Sequence, residues 1–377
     1  MDMKKFIVSL FLYGCLSLAI CSPLHETETV SGLTMQAGPV EGNAVPVSSG
    51  VLDNPFPLPL HTEKSRNTSS EKRKNTIDTK KTGIAIVSFA GYIPDSDLQR
   101  GIDVLKSRGY QVFNYVDPQK RYQMFGATDE ERVRQINEAV ANPDVQVIMA
   151  SRGGYGTSRL LSRLDFDRFA KSGKLFVGFS DITAFEMALL KHGAISFSGP
   201  MVQSDYSLKE VSDFTLDHFD NTITSPKTTV NWSAKGNPDV DVEGTLWGGN
   251  LVTFSHLTGT EWLPDITGGI LFFEDVHEHP YKIERMLIQL DEAGILKKQK
   301  ALVLGHFTDY TIAESDNGYD FGAMLSWLRS RVSIPVLTGL PFGHVKDKVT
   351  LPVGAKAHLV SKDGHVQLDI RDYPTVK

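Results

Sequence analysis

The sequence predicts an α/β protein, with a domain built on a parallel sheet followed by a second, β-richer domain. Two observations predict it. From residue 82 onward, short apolar runs of strand length alternate with amphipathic helical segments at βαβ spacing, which implies a parallel sheet with right-handed crossovers. Around residues 224–240 the texture changes to strand-and-turn sequence with Gly and Asn-Pro punctuation.

The elements follow in order. GIAIVSFAG (83–91) reads as a buried strand ending in a Gly turn. DSDLQRGIDVLKSRG (95–109) reads as a helix with Leu98, Ile102 and Leu105 on one face and Gly109 as its stop. YQVFNYV (110–116) alternates like a strand. TDEERVRQINEAVAN (128–142) opens with Thr128 and Glu131 in capping-box spacing. VQVIMA (145–150) is the next strand, then a Gly-rich loop, SRGGYG (151–156), and a short helix, TSRLLSRL. Leu175, Phe176 and Val177 form a further strand, leading through a tight turn at Ser180 into a helix with Ile182, Phe185, Met187, Leu189 and Leu190. ISFSGP (195–200) closes the first domain's strands. In the second part, GGILFFEDV (268–276) and KALVLGHF (300–307) are strands. PYKIERMLIQLDEAG (280–294), with Pro280 in its first turn, and YDFGAMLSWLRSRV (319–332) are helices. The tail 350–370 is short strands and turns.

These signals divide the chain into an N-terminal domain, 82–225, an interdomain linker, 226–240, and a C-terminal domain, 241–377. The first 21 residues read as an export signal: Lys4 and Lys5 precede an apolar core too short to span a bilayer. Ala19-Ile20-Cys21 fits a small-x-small cleavage site. Leu18-Ala19-Ile20-Cys21 also approaches a lipoprotein box, so attachment to a membrane by a lipid at Cys21 stays open. Residues 22–81, rich in Ser, Thr, Pro, Lys and Glu, read as a disordered tether. The expected location is the periplasm.

A hydrophobic share of 41% and a charged share of 22% are those of a soluble globular protein, and 377 residues suffice for two domains. The formal net charge of -6 gives no reason to expect nucleic-acid binding. The two cysteines, Cys15 and Cys21, both lie in the export segment, which excludes a thiol nucleophile or a cysteine-held zinc in the globular part.

Several residues could carry chemistry. Ser180 stands where a strand gives way to a helix, beside free N–H groups and the positive end of the helix dipole. That is the recipe of a nucleophile elbow, although the G-x-S-x-G pattern is only partly met because position 182 is Ile. A plain helix cap is the competing reading. His344 follows LPFG in a loop and could be a base or a solvated side chain. Glu274 and Asp275 end an apolar strand, so a carboxylate there needs a partner, in a salt bridge or in catalysis. His277 and His279 form H-x-H with no further ligand at a standard spacing, so no metal is expected. The glycines of SRGGYG suit either backbone N–H groups facing an anion or an ordinary turn.

Taken together, SRGGYGTSRLL (151–161), VGFSDITA (177–184), FSGPM (197–201), EGTLWGGNL (243–251), ILFFEDVHEHPYKIERMLIQL (270–290) and IPVLTGLPFGH (334–344) with VTLPVGA (349–355) resemble the L,D-carboxypeptidase family, the murein tetrapeptide carboxypeptidases. The resemblance runs from about Thr82 to the C-terminus. It implies a serine peptidase with a Rossmann-like N-terminal domain and a β-rich C-terminal domain. It implies a triad of Ser180 in GFSD, Glu274 in FFED and His344 in PFGH, with the site between the domains. It implies hydrolysis of the L,D-peptide bond before the terminal D-Ala of peptidoglycan stem tetrapeptides, with no cofactor. On that reading the Asp181 N–H and an N–H of Gly153 or Gly154 are the candidates for an oxyanion hole, and Arg152 either clamps the terminal carboxylate or has a structural role. The chain departs from typical cytoplasmic members in its export segment and tether. Two other readings are a microcin-type peptidyl-nucleotide hydrolase of the same fold and an exported muropeptide-binding protein. Homodimerisation is left open.

Overall fold

The computed structural model describes residues 82–376. The expected export signal (1–21), with the anchoring site at Cys21, and the tether (22–81) lie outside the described residues. In chain order the first half runs β1 (Gly83–Val87), α1 (Asp95–Ser107), β2 (Gln111–Asn114), α2 (Asp129–Ala141), β3 (Val147–Ala150), α3 (Phe166–Lys171), β4 (Leu175–Gly178), α4 (Thr183–Lys191), β5 (Ser196–Ser198) and α5 (Asp213–Thr224). The second half runs β6 (Lys227–Ser233), β7 (Val240–Asn250), α6 (Leu251–His256), β8 (Ile270–Val276), α7 (Pro280–Glu292), β9 (Ala301–Thr308), α8 (Phe321–Arg331), β10 (Val336–Thr338), β11 (Leu351–Val353), β12 (Lys356–Lys362) and β13 (His365–Arg371).

The first five strands form a parallel sheet in the order β2-β1-β3-β4-β5. This is the doubly wound order whose switch point falls between β1 and β3, and ligands of such sheets bind beyond the carboxyl ends of the strands. The loops after β1 and β3 meet there, with the Gly91 N–H donating to the Gly153 carbonyl at 3.0 Å. Every residue of β1, β3 and β4 is buried, which is why these strands read as unbroken apolar runs.

The second sheet has seven strands, β10-β9-β8-β7-β12-β13-β6. Strands β7 to β10 pair in parallel, and β7, β12, β13 and β6 pair antiparallel. The alternating burial of β6, β12 and β13 fits a sheet half with one face toward solvent.

Helix α4 is buried from Thr183 through Leu189. A helix buried on all sides needs apolar residues around its whole circumference, as TAFEMALL supplies. Phe185 packs beside Phe89, Phe166 and Phe176 at ring-centroid distances of 4.9, 5.3 and 5.0 Å. On its other side α4 meets β7, where the Asn250 N–H donates to Thr183 Oγ1 at 2.9 Å. Gly249 lies at that crossing: a Cβ on it would fall 2.5 Å from Thr183 Oγ1. The helix that follows Ser180 is thus wedged between the two sheets.

Four expectations change. Residues 226–240, expected to be a linker, contain β6, paired along its length with β13. Its Thr and Val pattern is that of an edge strand, and the surrounding turn residues concealed it. The sequence 350–355 was expected to belong to the second domain, yet β11 joins the first sheet, antiparallel to β5. TSRLLSRL forms two 3-10 turns rather than a helix, and the α-helix comes later, at Phe166–Lys171, with the Asp165 carboxylate capping it. The final helix starts at Phe321 because Asp320 is its N-cap.

Candidate active site

Strand β4 ends at Gly178, and Phe179 continues extended with φ -155° and ψ -169°. Ser180 then takes φ +64°, a left-handed conformation that costs an ordinary residue on the order of 1–3 kcal/mol. A 3-10 turn, Ser180–Ile182, leads into α4. Neither this turn nor α4 has a side-chain cap, and among the described residues Ser180 Oγ has no hydrogen-bond partner. The cap reading of Ser180 is therefore not met. The departure at position 182 also has a structural reason. The Ile182 side chain fills the space that a Cβ on Gly178 would claim, at 2.9–3.0 Å. Apolar packing locks the turn where a second glycine would only loosen it.

The loop 151–156 lies against this turn. A Cβ on Gly153 would come within 3.0 Å of Ser180 Cβ and 3.1 Å of its Oγ, so only glycine allows the close approach. Gly154 adopts φ +104°. Two groups brace the loop. The buried Asp181 carboxylate accepts from the Thr157 N–H at 2.8 Å, and Arg132, fully buried, donates to the Gly156 carbonyl at 3.1 Å and to Asp129 at 2.6 Å. Burial raises the Asp181 carboxyl above the ordinary range. The Asp181 amide falls in the first turn, where no carbonyl of its own helix can accept it.

Glu274 ends the apolar run of β8 and is completely buried. Its Oε2 accepts a 2.7 Å hydrogen bond from Nδ1 of His344, which sits in the loop between β10 and β11. Its Oε1 accepts from Asn250 Nδ2 at 3.2 Å. Burial pulls the imidazole of His344 down, but the charge and hydrogen bond of Glu274 outweigh it and hold His344 above its ordinary value. Asp275 accepts from Asn250 Nδ2 at 2.9 Å and from the amides of Val252 (2.8 Å) and Val276 (2.9 Å). Burial, with the neighbouring Glu274 charge, pushes it up to about 7.

One cavity of about 630 Å³ collects these groups. Arg152, Gly153, Gly154, Ser180, Asp181 and His344 all line it, while Glu274 stands behind His344. Arg152 spends one donor on the Tyr92 carbonyl at 2.5 Å and keeps a face on the cavity. His277 is on the rim, with Nδ1 3.0 Å from the Asp309 carbonyl oxygen. His279 accepts from the Tyr281 N–H at the start of α7 and pairs with Asp316 at 3.1 Å. Sequence reasoning missed Asn250, Phe179 and Arg132. Asn250 lay within a quoted motif, but its partners are 24 and 25 residues away. Phe179, one residue before Ser180, packs its ring 4.9 Å from the His344 ring.

The chain has clear relatives. Residues 84–199 match the model of the LD-carboxypeptidase N-terminal domain, and residues 243–359 match that of the LD-carboxypeptidase C-terminal domain. A putative carboxypeptidase of Synechocystis is 35% identical over 284 residues, spanning 73% of this chain and 90% of the relative. The crystal structure of a muramoyltetrapeptide carboxypeptidase from Oxalobacter formigenes superposes with a TM-score of 0.76 at 71% identity, covering 78% of this chain and 100% of that one. The microcin C7 self-immunity protein in complex with glutamyl sulfamoyl guanosine gives a TM-score of 0.71 at 25% identity, covering 79% and 98%. The chain belongs to the LD-carboxypeptidase family.

Proposed function

We propose that this carboxypeptidase hydrolyses the L,D-peptide bond before the terminal D-Ala of peptidoglycan stem tetrapeptides, with Ser180, His344 and Glu274 as a catalytic triad. The observation that carries the reading is the pairing of His344 Nδ1 with the buried Glu274, on the same cavity as a serine held at φ +64°. A carboxylate only accepts, so Nδ1 bears the proton and Nε2 is left to act as base.

Ser180 Oγ attacks the scissile carbonyl as His344 Nε2 takes its proton. The amides of Asp181 and of Gly153 or Gly154 receive the developing oxyanion. His344 returns the proton to the amine of the departing D-Ala. A water then attacks the acyl-enzyme by the same route, with His344 again as base. Glu274 fixes the tautomer and stabilises the imidazolium. Arg152 supplies a fork of donors for the terminal carboxylate, the group that distinguishes a carboxypeptidase substrate.

The test is mass spectrometry of a tetrapeptide muropeptide incubated with the protein. Appearance of the tripeptide and free D-Ala is expected from wild type and not from Ser180→Ala. A parallel incubation with a peptidyl-nucleotide of the microcin type tests the competing substrate. Turnover of that compound alone would overturn the murein reading.

A further inference from the structure

Lys348 and Asp205 form an ion pair with both side chains 2% exposed, a costly arrangement in a protein interior. Each partner is tied to a different wall of the cavity. Lys348 belongs to the same loop as His344. Asp205 belongs to a turn of π-helix, Val202–Tyr206, that follows β5, and Met201, Gln203 and Ser204 beside it line the cavity. Asp205 Oδ2 accepts from the Met201 N–H at 2.9 Å and from Ser204 Oγ at 2.6 Å, so the carboxylate holds that turn in shape. The Lys348 ammonium also lies 4.9 Å from the centroid of the Phe179 ring, which packs against His344 as well. The His344 loop is anchored to the N-terminal region again by Thr215 Oγ1, which donates to the Lys346 carbonyl and accepts from the Lys348 N–H, both at 2.9 Å.

We propose that the buried Lys348–Asp205 ion pair is a positioning device for the site: it clasps the His344 loop to the cavity-lining turn across Phe179, and the Lys348 charge acts on the His344 imidazole. The inference rests on His344 being the catalytic base. Several charged or titratable groups surround that imidazole. Glu274 and Asp275 face it from β8, and His306 of β9 stands beside Gly343. Asp181 and Arg152 share its cavity, and Lys348 comes from its own loop. Lys348 is the cation among them on the His344 loop side, and it opposes the upward pull of the two β8 carboxylates on His344.

The experiment compares pH profiles of kcat/KM on a tetrapeptide muropeptide for the full chain, Lys348→Met, and Lys348→Met with Asp205→Asn. The double variant leaves no orphaned buried charge, so it reports even if Lys348→Met fails to fold. Without the Lys348 charge the imidazole holds its proton to higher pH, so the acidic limb should move upward in Lys348→Met, and by less in the double variant, which also loses the Asp205 anion. Loss of the clasp should lower kcat on the order of 10²-fold, the scale set by ångström misplacement of a reacting group, with KM little changed. A folded double variant with the wild-type limb and wild-type kcat would overturn the inference. Ser180→Ala run alongside separates the failures. If it still turns over substrate, the base reading itself is lost; if it is inactive while the Lys348 variants behave as wild type, only the clasp is lost.

Discussion

The Ser180 turn and the His344 loop bring their side chains to one cavity by opposite means. The turn is short and local. β4, one extended residue and a 3-10 turn force Ser180 to φ +64°, and Gly178, Ile182 and Gly153 pack around it. The loop is long and has little regular structure between β10 and β11. What orders it comes from far along the chain: Glu274, Thr215, Asp205, and the Ser212 hydroxyl that donates to Asp347 at 2.5 Å. A local device stores strain in the backbone, whereas a long loop must be held by polar contacts with distant elements.

The largest test of this contrast removes the proposed nucleophile and the proposed base. Ser180→Ala and His344→Ala should each lower kcat by several orders of magnitude, and the double variant should be little worse, because the residues act as a unit. Near-additive losses in single-turnover assays would mean that the two regions work independently.

Glu274→Gln comes next. It keeps the shape of the loop's chief anchor and removes its charge, so kcat should fall on the order of 10²–10⁴-fold. Glu274 holds the His344 pKa above its ordinary value, and His344 must be neutral to act as base. Removing the charge should therefore move the acidic limb of kcat/KM to lower pH, opposite in sign to the Lys348 variants. An unmoved limb would show that Glu274 does not govern the imidazole.

Thr215→Val probes the loop's anchorage without touching the cavity. It deletes two hydrogen bonds and leaves the buried Lys348 N–H unpaired, so a loss of about 1–3 kcal/mol in urea unfolding is expected. A fall in kcat should accompany it if distant contacts hold the loop in place. The smallest effect belongs to His279→Ala. The ring caps α7 through the Tyr281 amide, so about 1 kcal/mol of stability should go while kcat/KM and its response to chelator stay unchanged. A large activity loss there, with sensitivity to EDTA, would instead give the H-x-H pair a chemical role.

The difference in legibility between the two regions follows from the same physics. The tight turn at Ser180 could be read from LFVGFSDITAFEMALL because strand, turn and helix are contiguous and each leaves a pattern of short range, although the stretch alone left a helix cap open. The N-terminal βαβ alternation was legible for the same reason, and the parallel sheet follows it strand by strand. The meeting of Glu274 with His344 had no such signal. The residues are 70 apart, and only the resemblance to the LD-carboxypeptidases brought them together in the reading. β6 was misread as linker because an edge strand with alternating exposure looks like polar turn sequence until its partner, β13, is known. β11 was placed with the wrong sheet because three apolar residues carry no mark of the strand they will join.

The sequence by itself determined the α/β class, the strands and most helices of the first sheet, the tight turn at Ser180 and the family. These depend on periodicity, on glycine placement and on blocks of contiguous residues. Tertiary structure alone decided the seven-stranded mixed sheet, the transfer of β11 to the first sheet, the Asn250 bridge to Glu274 and Asp275, and the buried Lys348–Asp205 pair. The reason is physical. A buried polar group is stable only with its partner, and Lys348 and Asp205, 143 residues apart, become partners only after the chain has folded around them.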